Sequence, residues 1–248
     1  MKKLQLLAII LTLLPGIRQV AADEIRVAVA SNFTAAIKHI SERFQKDTGH
    51  TITLIFGSTG KHYAQIKNGA PFDAFFAADV KRPALLEQEG VAVPGSRFTY
   101  AVGKIILWSP QPGLVDTEAN VLKKSDFHHL AIANPKLAPY GQAAREVLQA
   151  YGVWEQLQDR LVRGENIEQC YQFVESGNAE LGFVAYAQLK RPDHPLAGSM
   201  WIVPQALYTP IEQQAVLLKD HEAARAFMAF AKSARARKII QDLGYDTP

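Results

Sequence analysis

The sequence predicts an α/β chain of two lobes, each a mixed, mostly parallel sheet flanked by helices, with a cleft between the lobes. Three observations predict it. From Asp23 onward short apolar runs alternate with amphipathic segments, the pattern of β-α-β units that feed a parallel sheet. This rhythm changes near Tyr100 and restarts as a second β/α set after Ser109-Pro110-Gln111-Pro112-Gly113. No long Pro/Gly/Ser-rich linker separates the two sets, which suits lobes joined by strand crossings better than two independent domains.

In chain order, 25–30 reads as a strand and 34–48 as a helix with Ile37, Ile40 and Phe44 on one face, stopped by Gly49. A strand over 52–56 leads through Gly57-Ser58-Thr59-Gly60 into a helix that buries Tyr63 and Ile66 and ends at Asn68-Gly69. Strand 74–77 and helix 81–89 follow, then strand 104–108. The second set comprises strand 130–133, helix 140–151, helix 167–176 with Ile167, Cys170 and Val174 in line, and strand 181–184. Strands at 201–203 and 215–218 and helices at 221–232 and 234–243 complete the chain. Lobe I is expected to span 23–103 and 209–248, and lobe II 104–208, with hinges at Val102-Gly103 and 206–210.

Residues 1–22 have the form of an export signal: Lys2 and Lys3, an apolar run to Leu14, a Pro15-Gly16 break, and Val20-Ala21-Ala22 as a small-residue cleavage site. That run falls short of the roughly 20 residues a spanning helix needs. The full chain carries 27 basic against 24 acidic side chains. Removing the signal takes away Lys2, Lys3 and Arg18 and no acid, so the mature chain balances at 24 against 24. A zero balance argues against nucleic acid as a partner, because displacing phosphate counterions needs a basic face. The single Cys170 reads as a buried small hydrophobe.

Enzyme signatures are missing. The chain has no G-x-S-x-G, G-x-G-x-x-G or Walker A spacing, and its seven histidines are scattered, with no pair at metal-binding spacing. They read as surface residues, and the adjacent His128 and His129 as opposite faces of a strand. No catalytic residue, cofactor or metal site is expected. The positive signal is a set of short polar turns before four helices: Ala30-Ser31-Asn32-Phe33, Phe56-Gly57-Ser58-Thr59-Gly60, Ala138-Pro139-Tyr140-Gly141 and Gly164-Glu165-Asn166-Ile167. A helix start exposes unpaired N–H groups and a partial positive charge of about half an electron. Several converging starts can hold a dianion without lysine or arginine. Taken singly, each turn also fits an ordinary N-cap.

With these turns in hand, the chain resembles the periplasmic molybdate-binding proteins, the soluble receptors of molybdate ABC importers. The resemblance rests on Val27-Ala28-Val29-Ala30-Ser31-Asn32-Phe33, on Phe56-Gly57-Ser58-Thr59-Gly60, and on Asn68-Gly69-Ala70-Pro71-Phe72-Asp73 running into Phe76-Ala77-Ala78-Asp79. It continues through Ala133-Asn134-Pro135, Pro139-Tyr140-Gly141, Gly164-Glu165-Asn166-Ile167 and Gly177-Asn178-Ala179-Glu180-Leu181-Gly182-Phe183-Val184. It implies a type II periplasmic binding protein fold that closes on a tetrahedral oxyanion, molybdate or tungstate, and a periplasmic monomer that serves a membrane permease. Carried over by motif, the ligand residues are Ser31, Asn32, Ser58 and Thr59 from lobe I, and Tyr140 and the Ile167 amide from lobe II. Other family members place a tyrosine one position before Tyr186, so Tyr140 is expected to supply the phenol here.

Two other readings stay open at this level. One is a receptor for sulfate, or for ferric iron held by Tyr140, Tyr171 and Tyr186. The other is a secreted hydrolase with Ser58 or Thr59 as nucleophile and His62 as the nearby base.

Overall fold

The structure, a computed structural model, describes residues 23–190 and 196–248; the expected export signal and His194 lie outside the described residues. The first half of the chain runs β1 (Glu24–Ala30), α1 (Thr34–Thr48), β2 (Thr51–Gly57), α2 (Thr59–Lys67), β3 (Ala74–Ala77), α3 (Lys81–Gln88), β4 (Phe98–Gly103) and β5 (Ile105–Ser109). It continues through α4 (Val121–Lys124), β6 (Leu130–Ala133), α5 (Pro139–Ala150), β7 (Leu161–Gly164), α6 (Ile167–Glu175), β8 (Leu181–Ala185) and α7 (Tyr186–Leu189). The last elements are β9 (Ser199–Ile202), β10 (Ile211–Leu217), α8 (Glu222–Ala231) and α9 (Ala234–Asp242).

These strands build two five-stranded sheets of matching plan, β2-β1-β3-β10-β4 and β7-β6-β8-β5-β9. In each sheet three strands run parallel, and antiparallel pairings add the other two. The interior strand β1 ends in an apolar run, Val27–Ala30, because helices cover both of its faces: Val27, Ala28 and Val29 are fully buried. Packing on one side of this sheet comes from the apolar stripe of α1, where Ile37, Ile40 and Phe44 face the core as the 3.6-residue period dictates. α6 plays the same part in the second sheet with Ile167, Cys170 and Val174.

The sheets are linked twice. β4 passes into β5 through Lys104 alone, and the segment between β9 and β10 brings the chain back into the first sheet. After α9 the C-terminal residues tie down the first crossing. Asp246 exchanges backbone hydrogen bonds with Val102, and its carboxylate accepts from Lys104 Nζ at 2.8 Å.

Several local expectations need correction. β4 and β7 have no counterpart in the sequence reading, because half-buried edge residues such as Phe98, Leu161 and Val162 lack a strong alternation. α2 buries His62 rather than Tyr63, so His62 is not a surface histidine. His50 is also buried, stacked on Phe44. His128 and His129 lie in the loop before β6, and both of their backbone N–H groups donate to the Glu180 carboxylate. Among the described residues no helix is long and apolar enough to cross a membrane.

Candidate functional site

The four polar turns meet. Ser31 opens a 3-10 turn after β1, Ser58 caps α2 by accepting from the Lys61 N–H, Pro139 is the first residue of α5, and Asn166 caps α6 by accepting from Glu168 and Gln169. Proline suits that first position, where the N–H it lacks would have gone unpaired. Parallel strands deliver all four turns to one end of their sheets, and the sheets face each other across the gap. Ser31, Asn32, Ser58, Thr59, Tyr140 and Ile167 all line one small cavity there. With its mouth included, this cavity holds about 180 Å³ of empty space, against about 1290 Å³ for the open cleft beside it. A space of this size excludes a sugar or peptide.

The chemistry of the lining is one-sided. It contains no carboxylate, ammonium or guanidinium. The backbone N–H groups of Asn32, Thr59, Tyr140 and Ile167 have no acceptor among the described residues, as expected for the first positions of helices. Among the described residues Ser31 Oγ makes no hydrogen bond, Ser58 Oγ and Thr59 Oγ1 only accept, and all three residues are nearly fully buried. Thr59 Oγ1 accepts from the Ala78 N–H at 3.0 Å, which fixes the rotamer and leaves the hydroxyl hydrogen free. Such an array of unspent donors, at the positive ends of helices, attracts a negative solute that brings only acceptors.

Asn32 and Tyr140 have further bonds. The Asn32 side chain spends both amide hydrogens inside the protein, on Gln213 Oε1 at 2.8 Å and on the Tyr245 hydroxyl at 3.2 Å. Only its backbone N–H is left to donate into the cavity. The Tyr140 hydroxyl accepts from Gln213 Nε2 at 3.3 Å. Burial pushes its pKa well above the ordinary phenol value, so it stays protonated. Gln213 and Tyr245 were not singled out from the sequence. The one available sign was the amide pair Gln213-Gln214 next to the apolar run Ala215-Val216-Leu217.

Contacts across the gap hold the lobes together around the cavity. The Gly60 N–H donates to the Leu137 carbonyl at 2.8 Å, Arg82 Nη2 donates to the Lys136 carbonyl at 3.2 Å, and Lys61 pairs with Glu165 at 3.1 Å.

The residues needed by the other readings do not gather here. His62 is buried behind Gly57, with Nε2 on the Val29 carbonyl and Nδ1 against the Gln65 amide. Burial lowers its pKa, and neither nitrogen is placed to activate Ser58 or Thr59. Tyr171 stacks on Trp108, and Tyr186 packs beside Gly244, so neither lines the cavity with Tyr140. Among the described residues no three His, Cys, Asp or Glu side chains could hold a metal ion. Cys170 is enclosed under β8 with Sγ on the Phe183 carbonyl, and burial raises its pKa.

Comparisons with known proteins agree with this geometry. A family model for bacterial extracellular solute-binding proteins matches residues 25–246. The molybdate-binding protein ModA of Azotobacter vinelandii is 53% identical over 227 residues, covering 90% of this chain and 90% of that protein. ModA of Rhodobacter capsulatus is 51% identical over 230 residues, covering 92% and 90%. The solved structure of the Azotobacter vinelandii periplasmic molybdate-binding protein superposes with a TM-score of 0.87 at 43% identity, covering 90% of this chain and 99% of that one.

Proposed function

The chain belongs to the bacterial extracellular solute-binding proteins, among the ModA molybdate-binding proteins, and from that premise we propose that it captures molybdate in the interlobe cavity and delivers it to an ABC importer. The observation that carries this reading is the convergence of four helix starts, two per lobe, on a small cavity with many free donors and no charged side chain. Lobe I, over 23–103 and 209–248, contributes Ser31, Asn32, Ser58 and Thr59. Lobe II, over 104–208, contributes Tyr140 and Ile167.

Molybdate at neutral pH is a tetrahedral dianion without a proton, so every oxygen accepts. The N–H groups of Asn32, Thr59, Tyr140 and Ile167 and the hydroxyls of Ser31, Ser58, Thr59 and Tyr140 point their dipoles at this charge. They stabilise it without the desolvation penalty of burying a counter-ion. Hydrogen phosphate carries a proton that would face another donor, and an unmade hydrogen bond of this kind costs about 1–3 kcal/mol. Tungstate has the same shape and charge as molybdate and binds in the same way. Sulfate is a smaller dianion, and its rejection rests on cavity size. Since both lobes supply donors, the anion engages the full set only in the closed form and so shifts the hinge equilibrium toward closure. The protein acts in the periplasm as a monomer, presents the closed form to a membrane permease, and needs no cofactor.

Thermal-shift and calorimetric titrations with molybdate, tungstate, sulfate, phosphate and Fe(III) test the reading. Strong stabilisation is expected with the first two alone. A shift with Fe(III) or phosphate and none with molybdate overturns it.

A further inference from the structure

Gln213 sits on β10, the strand that returns from the second crossing, and it touches residues from both lobes. The hydrogen bonds around it form a chain with a fixed sense. The Tyr245 hydroxyl donates to the backbone carbonyl of Asn32 at 2.6 Å. A carbonyl can only accept, so the hydrogen of Tyr245 is committed and its oxygen is left to accept from Asn32 Nδ2 at 3.2 Å. This orients the Asn32 amide, whose other hydrogen goes to Gln213 at 2.8 Å and requires the oxygen of Gln213, Oε1, at that position. The Tyr100 hydroxyl lies 3.1 Å from Oε1 and 3.1 Å from the Ala77 carbonyl, and its one hydrogen is shared between these two acceptors. With Oε1 on the lobe I side, Nε2 must face lobe II, where it donates to the Tyr140 oxygen at 3.3 Å.

We infer that Gln213 is a positioning residue: the chain Tyr245–Asn32–Gln213–Tyr140 makes the Tyr140 oxygen the acceptor of the Gln213 amide, leaves its hydrogen uncommitted, and directs that hydrogen at the bound anion. This rests on the proposed binding of an oxyanion. The Tyr140 hydrogen finds no acceptor among the described residues, although the residue is buried and lines the cavity. A buried hydroxyl hydrogen without an acceptor is costly, and an anion oxygen satisfies it. The backbone has been cleared for this contact. A Cβ on Gly103 would lie 2.1 Å from the Tyr140 oxygen and 2.7 Å from Gln213 Nε2, so only glycine lets the pair meet over the first crossing. No member of the chain ionises near neutral pH: burial raises the phenols of Tyr100, Tyr140 and Tyr245 alike.

A double-mutant cycle on the full chain tests the inference, with molybdate affinity read by calorimetry and folding by thermal melting. Y140F and Q213M are each expected to weaken molybdate about tenfold, the effect of losing one aligned hydrogen bond. Because both act through the same hydrogen, the double variant is expected to lose about tenfold as well, not a hundredfold. Should Q213M fail to fold, Q213E replaces it. Its carboxylate keeps the bond from Asn32 but draws the Tyr140 hydrogen away from the cavity. In that background the further change Y140F is then expected to alter affinity less than twofold. Wild type that binds molybdate while the two losses multiply overturns the hydrogen-bond chain alone. Wild type that fails to bind molybdate overturns the functional reading and this inference with it.

Discussion

The backbone N–H of Gly60 donates to the backbone carbonyl of Leu137 at 2.8 Å, a main-chain bond between the two lobes at the edge of the cavity. Gly60 is the second residue of α2, and Leu137 lies just before α5, so the bond ties together the two turns that carry Thr59 and Tyr140. A Cβ on Gly60 would sit 2.9 Å from the Leu137 oxygen and 3.1 Å from its Cα. Backbone cannot step aside as a flexible side chain can.

Gly60→Val is therefore expected to prop the lobes apart. Molybdate affinity should fall at least tenfold, while the ligand-free thermal midpoint moves by no more than a few degrees, because the clash exists only in the closed form. The neighbouring Lys61–Glu165 pair is exposed, and exposed pairs contribute little. Lys61→Met should change affinity less than about threefold, and any loss should shrink with added salt. Equal binding by Gly60→Val and wild type in calorimetry would sink the closure argument.

Thr59→Val preserves the shape of the side chain and removes its hydroxyl. The Ala78 N–H then loses its acceptor, and the cavity loses one donor. The expected cost in molybdate binding is about 1–3 kcal/mol, together with a smaller loss of fold stability. Ser31→Ala removes a hydroxyl that makes no hydrogen bond among the described residues, so it should weaken binding with almost no change in the ligand-free melting temperature. Titration calorimetry paired with melts of the ligand-free chain separates the two outcomes.

Molybdate affinity should be flat from about pH 6.5 to 9, because the cavity lining holds no carboxylate or histidine and the Tyr140 phenol is raised far out of this range. Stability behaves differently at lower pH. The folded-state pKa of His62 is depressed, chiefly by burial, so the unfolded chain binds its proton first as pH falls below about 6.5. The His62 contribution to stability is therefore complete above that value and declines as pH drops toward the folded pKa. Melts from pH 7.5 to 5 should show this decline, and His62→Gln should lessen it. An affinity that follows a single titration between pH 6.5 and 9 would place an ionising group in the site.

Gly103→Ala should push the Tyr140 hydroxyl and the Gln213 amide apart, because the new methyl falls within 2.1 Å of the Tyr140 oxygen. Overpacking of this kind costs about 1–3 kcal/mol in stability. The loss of molybdate affinity should match that of Y140F, and adding Y140F should recover part of the stability by making room. Calorimetry and melting of the single and double variants check both effects.

Much of this protein was legible in the sequence alone. Apolar runs alternating with amphipathic segments set the β/α order, since each strand and helix must bury one face. Ser58 and Asn166, placed before Thr59 and Ile167, marked helix starts through their local capping chemistry. The motifs around Ser31, Thr59 and Tyr140 were enough to indicate the family. Only the tertiary structure decided how these pieces are used. It brought four turns from two sheets onto one cavity, showed that the amide hydrogens of Asn32 are spent internally, and withdrew His62 behind Gly57. Gln213 lies 181 residues from Asn32 and 73 from Tyr140. No local pattern records that meeting, because the direction of a hydrogen bond depends on what each partner has already committed elsewhere in space.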